Sequence, residues 1–380
     1  MNGSTAEYDV AIIGAGAMGA AAAWHLSKTG KKILVIDRFE PPHNLGSSHG
    51  ESRIIREAYF ESPMYVKLVR QAYEWWDALE EESGKKLFLK AGGLMLGRKE
   101  RRVFQGASDS AVLHQVPYEF LDAAEIKKRF PAFKPTGDTM ALYEHNAGIL
   151  FPAECIREEI ELAKKAGVSF RFHEKVIRIE NRNDKAEIVT DKSGYAASKV
   201  IVSAGAWVTD LFPELNLPLR VNRQLLFWFK CNRYEARNFL PENFPIYIWE
   251  HEENKIFYGF PDLGRGLKIA IHHQGLLTTA NTLNREVEEE EIGEMAVILH
   301  QFFDGDFEFD HAAVCMYTNT EDENFIIDYH PSSRNIIIVS ACSGHGFKFS
   351  SAIGKILSEM VTGQPLSFDI SVFNLKRLIN

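Results

Sequence analysis

Short runs of apolar residues alternate along the chain with segments of helical periodicity, a pattern that is typical of α/β proteins. The first apolar run, 8–13, precedes a glycine-rich turn and an Ala-rich segment that extends to about Lys28. A second run, 33–36, comes next, and Gly30 is placed to end the helix between them. This order predicts a βαβ unit, in which a helix joins two parallel strands.

The alternation continues further along the chain. Ser62 and Pro63 predict the start of a second helix, as N-cap and first helical residue, and Gly84 predicts its end. An acidic segment near residue 286 suits the positive end of a helix dipole and is interpreted as a solvated face. Further helices are predicted at 152–166, at 286–303 and before Gly363, and further strands at 168–172, 175–179, 186–190, 199–203 and 335–340.

Composition narrows the class of protein. The 380 residues are 45% hydrophobic and 25% charged, ordinary values for a globular chain of about two domains. With 43 basic and 52 acidic residues the formal net charge is -9, which disfavours a general nucleic-acid or anionic-membrane surface. No apolar run is long enough to predict a membrane span, and the first residues lack the features of a secretory signal.

The cysteines are few and scattered. Cys155, Cys231, Cys315 and Cys342 show neither a disulfide pattern nor the spacing of metal ligands. We therefore expect a cytoplasmic protein without a metal site.

A glycine fingerprint joins the first strand to the first helix. Gly14 would allow a tight turn, Gly16 would let the backbone approach a pyrophosphate, and Gly19 would let the helix pack on the strand. The pyrophosphate would lie at the helix N-terminus, where free N–H groups favour anions. Asp37 follows about 20 residues later, where an acid binds a ribose diol and disfavours a 2′-phosphate. The fingerprint predicts a dinucleotide other than NADP and does not separate FAD from NAD.

Four segments beyond the fingerprint carry a more specific signal. They are Gly46-Ser-Ser-His-Gly-Glu-Ser-Arg-Ile-Ile-Arg56, Cys315-Met-Tyr-Thr-Asn-Thr, Phe325-Ile-Ile-Asp328 and Ser343-Gly-His-Gly-Phe-Lys348. In this order they resemble the monomeric sarcosine oxidase family, which includes N-methyltryptophan oxidase and the pipecolate oxidases. That family belongs to the wider group of flavoproteins similar to glycine oxidase and D-amino-acid oxidase. The resemblance runs from about residue 8 to residue 375.

The resemblance implies an α/β fold in which a Rossmann-like FAD-binding domain is interleaved with an α+β substrate domain. The substrate domain would contain helices and a mixed sheet rich in antiparallel strands. This agrees with the nucleotide-binding unit at the start of the chain and a second strand–glycine–helix unit near its end. We expect the FAD-binding domain to take residues 1–80, 140–215 and 310–380, and the substrate domain to take 81–139 and 216–309.

The resemblance also implies a covalent cofactor. Cys315 matches the cysteine that carries FAD through a thioether to the flavin 8α carbon, although residue type alone favours a small buried apolar side chain there. The other three cysteines match no such position and keep a structural interpretation. The residues expected to bind the cofactor are Gly14, Gly16, Gly19, Asp37, Ser47, His49, Arg53, Val176, Gly205, Cys315, Gly344, Gly346 and Lys348.

Two lysines and an arginine match the chemical centre of the family. Arg56 and Lys348 match the cations that hold the substrate carboxylate, and Lys268 matches the lysine that activates O2. On pattern alone, a lysine in an alternating strand faces solvent. His272 lies four residues further on, so strand alternation places it on the same face as Lys268. The expected catalytic set is Lys268, Arg56, Lys348, His272, Tyr258, Tyr317 and His345.

The chain departs from the family near its expected pocket. Ile248 occupies the place where sarcosine oxidases carry a methionine, and Trp249 is its neighbour. Arg265 has no family role to which it can be assigned. These positions could govern the size of the pocket, so sarcosine itself is not singled out as the substrate.

The expected activity is FAD-dependent oxidation of an N-methyl or other secondary α-amino acid, acting on a CH–NH group, by a monomer. The amine would become an imine and O2 would become H2O2. One alternative is a flavin dehydrogenase that uses another acceptor, and a second is an enzyme similar to glycine oxidase with non-covalent FAD. An NAD-dependent dehydrogenase suits the Gly-His-Gly-Phe-Lys segment less well. A further alternative, without catalysis, is a flavin-binding redox sensor. Such a sensor would not need the cations that match the carboxylate-binding pair, so their presence argues against it. Sarcosine, N-methyltryptophan and pipecolate all remain open.

Overall fold

The computed structural model of the protein describes residues 6–182, 184–232, 235–273 and 275–378. Residues 1–5, which belong to the segment expected not to be a secretory signal, lie outside these ranges. Within the ranges, no helix combines the length and the hydropathy needed to span a bilayer. The helices there are α1 (Ala17–Ser27), α2 (Tyr65–Ser83), α3 (Arg102–His114), α4 (Ala123–Arg129), α5 (Pro152–Lys165), α6 (Val208–Leu211), α7 (Glu289–Phe302) and α8 (Ser350–Thr362).

The strands supply three sheets in the described part of the chain. They are β1 (Ala6–Ile13), β2 (Ile33–Ile36), β3 (Arg53–Ile55), β4 (Phe88–Lys90), β5 (Gly93–Gly97), β6 (Glu119–Asp122), β7 (Met140–Glu144), β8 (Gly148–Leu150), β9 (Ser169–Arg171), β10 (Val176–Arg182), β11 (Lys185–Thr190), β12 (Gly194–Val202), β13 (Arg220–Cys231), β14 (Ile246–Glu252), β15 (Lys255–Phe260), β16 (Leu267–His272), β17 (Leu277–Thr278), β18 (Phe307–Asn319), β19 (Ile326–His330) and β20 (Ser333–Ser340).

The first sheet has a parallel centre. Its order is β10-β11-β12-β1-β2-β9, with β20 paired to β12 and β19 paired to β20. β1 runs parallel to both β2 and β12, and β12 runs parallel to β20. All four residues of β2 are buried, as expected for a strand covered on both faces. The carboxyl ends of these parallel strands therefore meet at one edge of the sheet, where ligands of α/β folds bind.

Helix α1 is buried because its side chains are small. Ala20, Ala21, Ala22 and Ala23 are fully buried. Helix α8 comes very close at Gly354, where an added Cβ would lie 2.6 Å from the Ala21 carbonyl carbon. The Ala-rich sequence thus allows α8 to pack tightly on the helix that begins at the glycine fingerprint.

The second sheet is mainly antiparallel. Its order is β17-β13-β16-β15-β14-β5-β7-β6, and β18 pairs with β13 along almost its whole length. The pair β14–β5 is parallel. Aromatic side chains fill the core on one face of this sheet, including Trp249, Phe257 and Phe303. A third, smaller sheet has the order β3-β8-β4. Arg53 is the first residue of β3, and Arg56 directly follows this strand.

The fold class predicted from the sequence is confirmed, as are the βαβ unit and the predicted later strands, whose ends differ from the predicted ones by at most five residues. Helix α2, however, begins at Tyr65 with Met64 as N-cap, so the predicted start at Ser62 and Pro63 is wrong. Ser62 forms a turn instead, because its carbonyl accepts the Tyr65 N–H at 3.2 Å.

Two smaller expectations about helix ends also need correction. Helix α1 ends at Ser27 with Lys28 as C-cap, so Gly30, with φ of 72°, lies one residue beyond the C′ position expected for it. Lys348, which the sequence places at the start of the last predicted helix, is instead in a short 3₁₀ turn, Phe347–Phe349, that precedes α8.

Candidate active site

A cavity of about 700 Å³ lies at the carboxyl edge of the first sheet and extends to the second sheet. Gly14 follows β1, Asp37 follows β2 and Ala341 follows β20, and all three line it. Most of the residues predicted to form the site are brought together on its wall. They are Gly14, Gly16, Asp37, Ser47, His49, Arg53, Arg56, Val176, Gly205, Tyr258, His272, Tyr317, Gly344, His345, Gly346 and Lys348. Gly19, Lys268 and Cys315 are not on the wall.

The three fingerprint glycines meet different surroundings. Gly14 has φ of 96°, and a Cβ there would lie 2.5 Å from the Ser203 carbonyl oxygen. A Cβ on Gly19 would lie 1.8 Å from the Gly14 carbonyl oxygen, so this glycine permits contact between helix and strand. A Cβ on Gly16 would meet no described heavy atom within 4 Å. Gly16 thus leaves open the space that a pyrophosphate needs beside the backbone.

Asp37 is held by backbone donors. Its carboxylate accepts the Ala15 N–H at 2.6 Å and the Phe39 N–H at 2.8 Å. Burial raises its pKa even though these two hydrogen bonds lower it. The carboxylate therefore both orients the glycine turn and lines the cavity where the ribose is expected.

Arg53 organises the loop that follows β2. Its guanidinium donates to the carbonyls of Ser47, His49 and Ser52 at 2.8, 2.6 and 2.8 Å. Nε2 of His49 donates to the Val314 carbonyl at 2.9 Å, which joins the loop to β18. Burial, followed by the charge of Arg53, lowers the pKa of His49 to about 4.

Cys315 lies behind this loop. Its Sγ is 3.5 Å from the Ser47 carbonyl oxygen and 3.9 Å from Arg53 Nη2. Because side chains alternate along β18, Cys315 is on the same face as Ala313 and Tyr317, and both of these line the cavity.

Cys342, to which the sequence assigned only a structural role, lines the cavity itself. Its Sγ accepts the Thr318 N–H at 3.4 Å, and burial raises the pKa of this thiol.

Lys268 is buried, contrary to what its strand pattern alone favours. Its Nζ donates to the Gly50 carbonyl at 2.5 Å and to Ser52 Oγ at 3.0 Å. The rings of Phe260 and Trp228 lie 4.6 and 5.4 Å from Nζ. Burial, reinforced by Arg53, lowers the pKa of Lys268 far below its ordinary value.

Arg56 and Lys348 lie close together at another end of the cavity. Arg56 donates to the Ala58 carbonyl at 2.7 Å and forms a 2.6 Å ion pair with Glu61, while its Nε has no partner among the described residues. Lys348 Nζ donates to the His345 carbonyl at 2.8 Å. Burial, followed by the charge of Arg56, lowers the pKa of Lys348 to about 7.

Glu61 and Tyr59 are site residues that the sequence analysis missed. Burial raises the pKa of Glu61, but Arg56, His345 and Lys348 lower it more, so the net shift is downward and Glu61 is ionised. The Tyr59 hydroxyl is 2.6 Å from His345 Nδ1 and 3.3 Å from Lys348 Nζ. The sequence does contain a signal for Glu61, because this acidic residue comes five positions after Arg56, which was predicted to bind a carboxylate.

A second missed group surrounds the dinucleotide end. The Arg38 guanidinium lies 5.0 Å from the Phe39 ring centre and 4.9 Å from that of Trp207. All three line the cavity near Asp37. Arg38 and Phe39 directly follow the predicted ribose acid, and this was the signal for them in the sequence.

Neutral aromatic side chains complete the wall near Lys348. The hydroxyls of Tyr258 and Tyr317 are 3.3 Å apart, and Ile248 lines the cavity beside them. Burial lowers the pKa of His345 to about 3 and that of His272 well below its ordinary value. Both histidines are therefore neutral at pH 7. Trp249, next to Ile248, packs into the aromatic core instead.

Comparisons with known proteins agree with this geometry. The family described as FAD dependent oxidoreductase matches residues 9–360. The chain belongs to the FAD-dependent oxidoreductase family. It is 39% identical to a monomeric sarcosine oxidase of Streptomyces avermitilis over 98% of both chains. It is 34% identical to an N-methyl-L-tryptophan oxidase of Yersinia pestis over 98% of this chain and 99% of the relative.

One similar solved structure is the open form of NikD, an unusual amino acid oxidase essential for nikkomycin biosynthesis. It shares 21% sequence identity with a TM-score of 0.84, and the match covers 97% of this chain and 98% of that one. This likeness supports the fold. The relatives at 34–40% identity confirm the resemblance stated from the sequence motifs.

FAD is therefore the cofactor of this family member, and the residues present fit it. The open space at Gly16, the left-handed turn at Gly14 and the buried Asp37 form the cradle that a dinucleotide requires. The fit rests on this geometry as well as on family membership.

Proposed function

We propose that the protein oxidises N-methyl or other secondary α-amino acids, as a monomer, with FAD attached through Cys315 and O2 as electron acceptor. The observation that carries the proposal is the pair of buried cationic side chains, Arg56 and Lys348, on the wall of a cavity that begins at a dinucleotide cradle. Relatives named for sarcosine and N-methyl-L-tryptophan support this substrate class.

The reaction balances as a two-electron oxidation. The amine gives up a hydride from carbon and a proton from nitrogen, a C=N bond forms, and water hydrolyses the imine. O2 takes up two electrons and two protons and leaves as H2O2. FAD, when bound, supplies the electron-accepting chemistry that the side chains lack.

The carboxylate of the substrate is held by Arg56 and Lys348. A buried carboxylate needs a cationic partner, and a guanidinium offers a planar pair of donors. Glu61 is the partner of Arg56 in this structure at 2.6 Å, so an incoming carboxylate shares or replaces that contact.

The substrate amine is held neutral by its surroundings. Arg56 and the protonated form of Lys348 disfavour another cation nearby, and burial has the same effect. The negative charge of Glu61 is offset by its ion pair with Arg56, and the neutral His272 and His345 add no further charge. A neutral amine has the lone pair that imine formation requires.

Lys268 acts in the reduction of O2. Its Nζ is a hydrogen-bond donor that would stabilise a developing oxygen anion. Its hydrogen bonds to Gly50 and Ser52 hold Nζ in place.

The test of the attachment compares two cysteines. Cys315→Ser is expected to abolish flavin fluorescence that migrates with the chain on a denaturing gel, because it removes the thioether sulfur. Cys342→Ser, the matched control on the cavity wall, is expected to keep it. Loss in the second variant alone would place the attachment at Cys342 and contradict the proposal.

The test of the reaction uses anaerobic flavin absorbance. Sarcosine, N-methyltryptophan and pipecolate are added in turn to the holoenzyme, and at least one secondary amino acid is expected to bleach the flavin. No bleaching by any secondary amino acid would contradict amine oxidation. Bleaching that is not reversed by air would favour a dehydrogenase.

A further inference from the structure

One end of the cavity reaches solvent beside Lys268. Glu51 and Arg265 line this end, form an ion pair, and have side chains that are 38% and 61% exposed. We propose that this ion pair gates a passage by which O2 reaches Lys268, separate from the end that binds the amino acid carboxylate. The inference rests on the proposed function and assigns Arg265, which the family resemblance leaves without a role.

Lys268 lies directly behind the wall of this passage. The rings of Trp228 and Phe260 line the cavity and lie next to the lysine nitrogen. Glu51 stands between Gly50 and Ser52, the two residues that accept hydrogen bonds from Lys268. Glu51, one of the two residues of the gate, is therefore adjacent in sequence to both residues that hold the lysine.

Both sides of the gate have a constrained backbone. Glu51 has φ of 70°, a left-handed conformation that is unfavourable by about 1 kcal/mol for a residue with a Cβ, and Gly50 before it has φ of 102°. Such strain is concentrated at functional sites.

Arg265 stands on a loop of defined geometry. Gly264 and Gly266 on either side of it have φ of 99° and 96°. Asp262 Oδ1 accepts the N–H groups of both glycines, at 2.7 and 2.8 Å. The loop backbone is thus held in place, and the side-chain ion pair is the part of the gate that can move. An exposed pair of this kind contributes about 0–1 kcal/mol, so thermal motion opens it readily.

The carboxylate end is distant from Lys268. Lys268 and His272 are on the same face of β16, and four residues of strand separate them by about 13 Å. A Cβ on Gly344 would lie 3.0 Å from His272, so the segment that ends in Lys348 is at this end. Arg56 and Lys348 lie 4.4 and 5.2 Å from the ring of Tyr59. Tyr317, His345 and Lys348 are buried there.

The chemistry of the passage suits O2. Trp228, Phe260 and Ala313 give it an apolar lining, which admits a small neutral molecule more easily than a charged amino acid. The O2 that enters accepts two electrons from the reduced cofactor and two protons, and leaves as H2O2.

The experiment measures reoxidation without an amino acid. The holoenzyme is reduced by light under anaerobic conditions and mixed with O2, and the return of flavin absorbance gives a second-order rate constant. Arg265→Trp fills the mouth and is expected to lower this constant about tenfold. Arg98→Trp is the matched control, because Arg98 forms an equally exposed ion pair, with Asp138, outside the cavity wall.

A second readout reports access to the passage itself. Acrylamide quenching of Trp228 fluorescence, isolated by subtracting the quenching of a Trp228→Phe variant, is expected to rise in Arg265→Ala and fall in Arg265→Trp. Unchanged reoxidation and unchanged quenching in Arg265→Trp would overturn the gate. Slower anaerobic reduction by the amino acid, with normal reoxidation, would also overturn it, because the mouth would then admit the substrate. Since light replaces the amino acid, failure of the proposed function leaves this test intact.

Discussion

The chemistry of single residues in this protein is set by burial more than by residue type. Lys348 is an ordinary basic residue in the sequence, yet its enclosure beside Arg56 lowers its pKa to about 7. Glu61 shows the opposite case, because three cationic or ionisable neighbours keep it charged although its side chain is only 9% exposed. Both states depend on contacts between residues 56–61 and residues 345–348, two segments that are far apart in the chain.

Because we propose that Lys348 binds the substrate carboxylate, we expect this binding to depend on pH. Its pKa is depressed, so the cation is present below about pH 7 and is lost as the pH rises through that value. Acetate, which has no amine, is expected to bind the holoenzyme more weakly above pH 7, by up to about tenfold per pH unit. Titration of the flavin absorbance with acetate measures this.

The control for this prediction is Lys348→Arg, which keeps its charge throughout the same pH range and is expected to flatten the profile. An unchanged slope in that variant would show that another group titrates.

At the scale of elements, local signals predicted most of the first sheet. Apolar runs placed β1, β2 and β20, and glycine placed the end of α2 at Gly84. The start of α2 was mispredicted because Ser62 and Pro63 make good caps in isolation. In the protein, Glu61 forms an ion pair with Arg56, and residues 62–65 form a turn before the helix begins.

The glycine turn offers a prediction that separates folding from binding. Gly19→Ala is expected to destabilise the protein by about 3 kcal/mol or more, because its Cβ would lie 1.8 Å from the Gly14 carbonyl oxygen and backbone must move. Gly16→Ala is expected to fold normally and lose FAD, because its Cβ enters open space reserved for the pyrophosphate. Thermal unfolding followed by circular dichroism measures the first effect, and flavin content measures the second. Equal losses of stability in the two variants would contradict this assignment.

At the scale of the whole molecule, the site exists because two sheets share one cavity. The first sheet provides the dinucleotide cradle, and the second provides Lys268, His272 and Cys315. The division into FAD-binding and substrate domains at the residue ranges given above stays a proposal. Strands β7 and β18 pair within the second sheet although they fall largely in ranges proposed for the FAD-binding domain.

Arg285 connects the loop that follows β2 to strand β18 of the second sheet. It donates to the carbonyls of Asn44 and Leu45 at 2.9 and 3.0 Å, and to that of Val314, next to Cys315, at 3.4 Å. Arg285→Ala is expected to loosen this loop by about 1–2 kcal/mol and to reduce the fraction of chains that carry flavin.

The measurement for this prediction is flavin per chain after denaturation, together with the rate of limited proteolysis. Arg285→Lys is expected to give an intermediate value, and Arg178→Ala, at an exposed ion pair elsewhere, to match the parent protein. A full flavin content in Arg285→Ala would show that the contact is dispensable.

The sequence by itself determined the features that depend on local chemistry. The βαβ unit, the roles of Gly14 and Gly19 and the register of Asp37 follow from steric and hydrogen-bonding rules that act over a few residues. Motif resemblance extended this to the family and to FAD. Only the tertiary structure decided that Lys268 is buried, that Glu61 pairs with Arg56, and that Cys342 rather than Cys315 lies on the cavity wall. The physical reason is that these outcomes depend on which strands and loops the fold packs together, as where Arg53 meets Cys315 from 262 positions away in the chain.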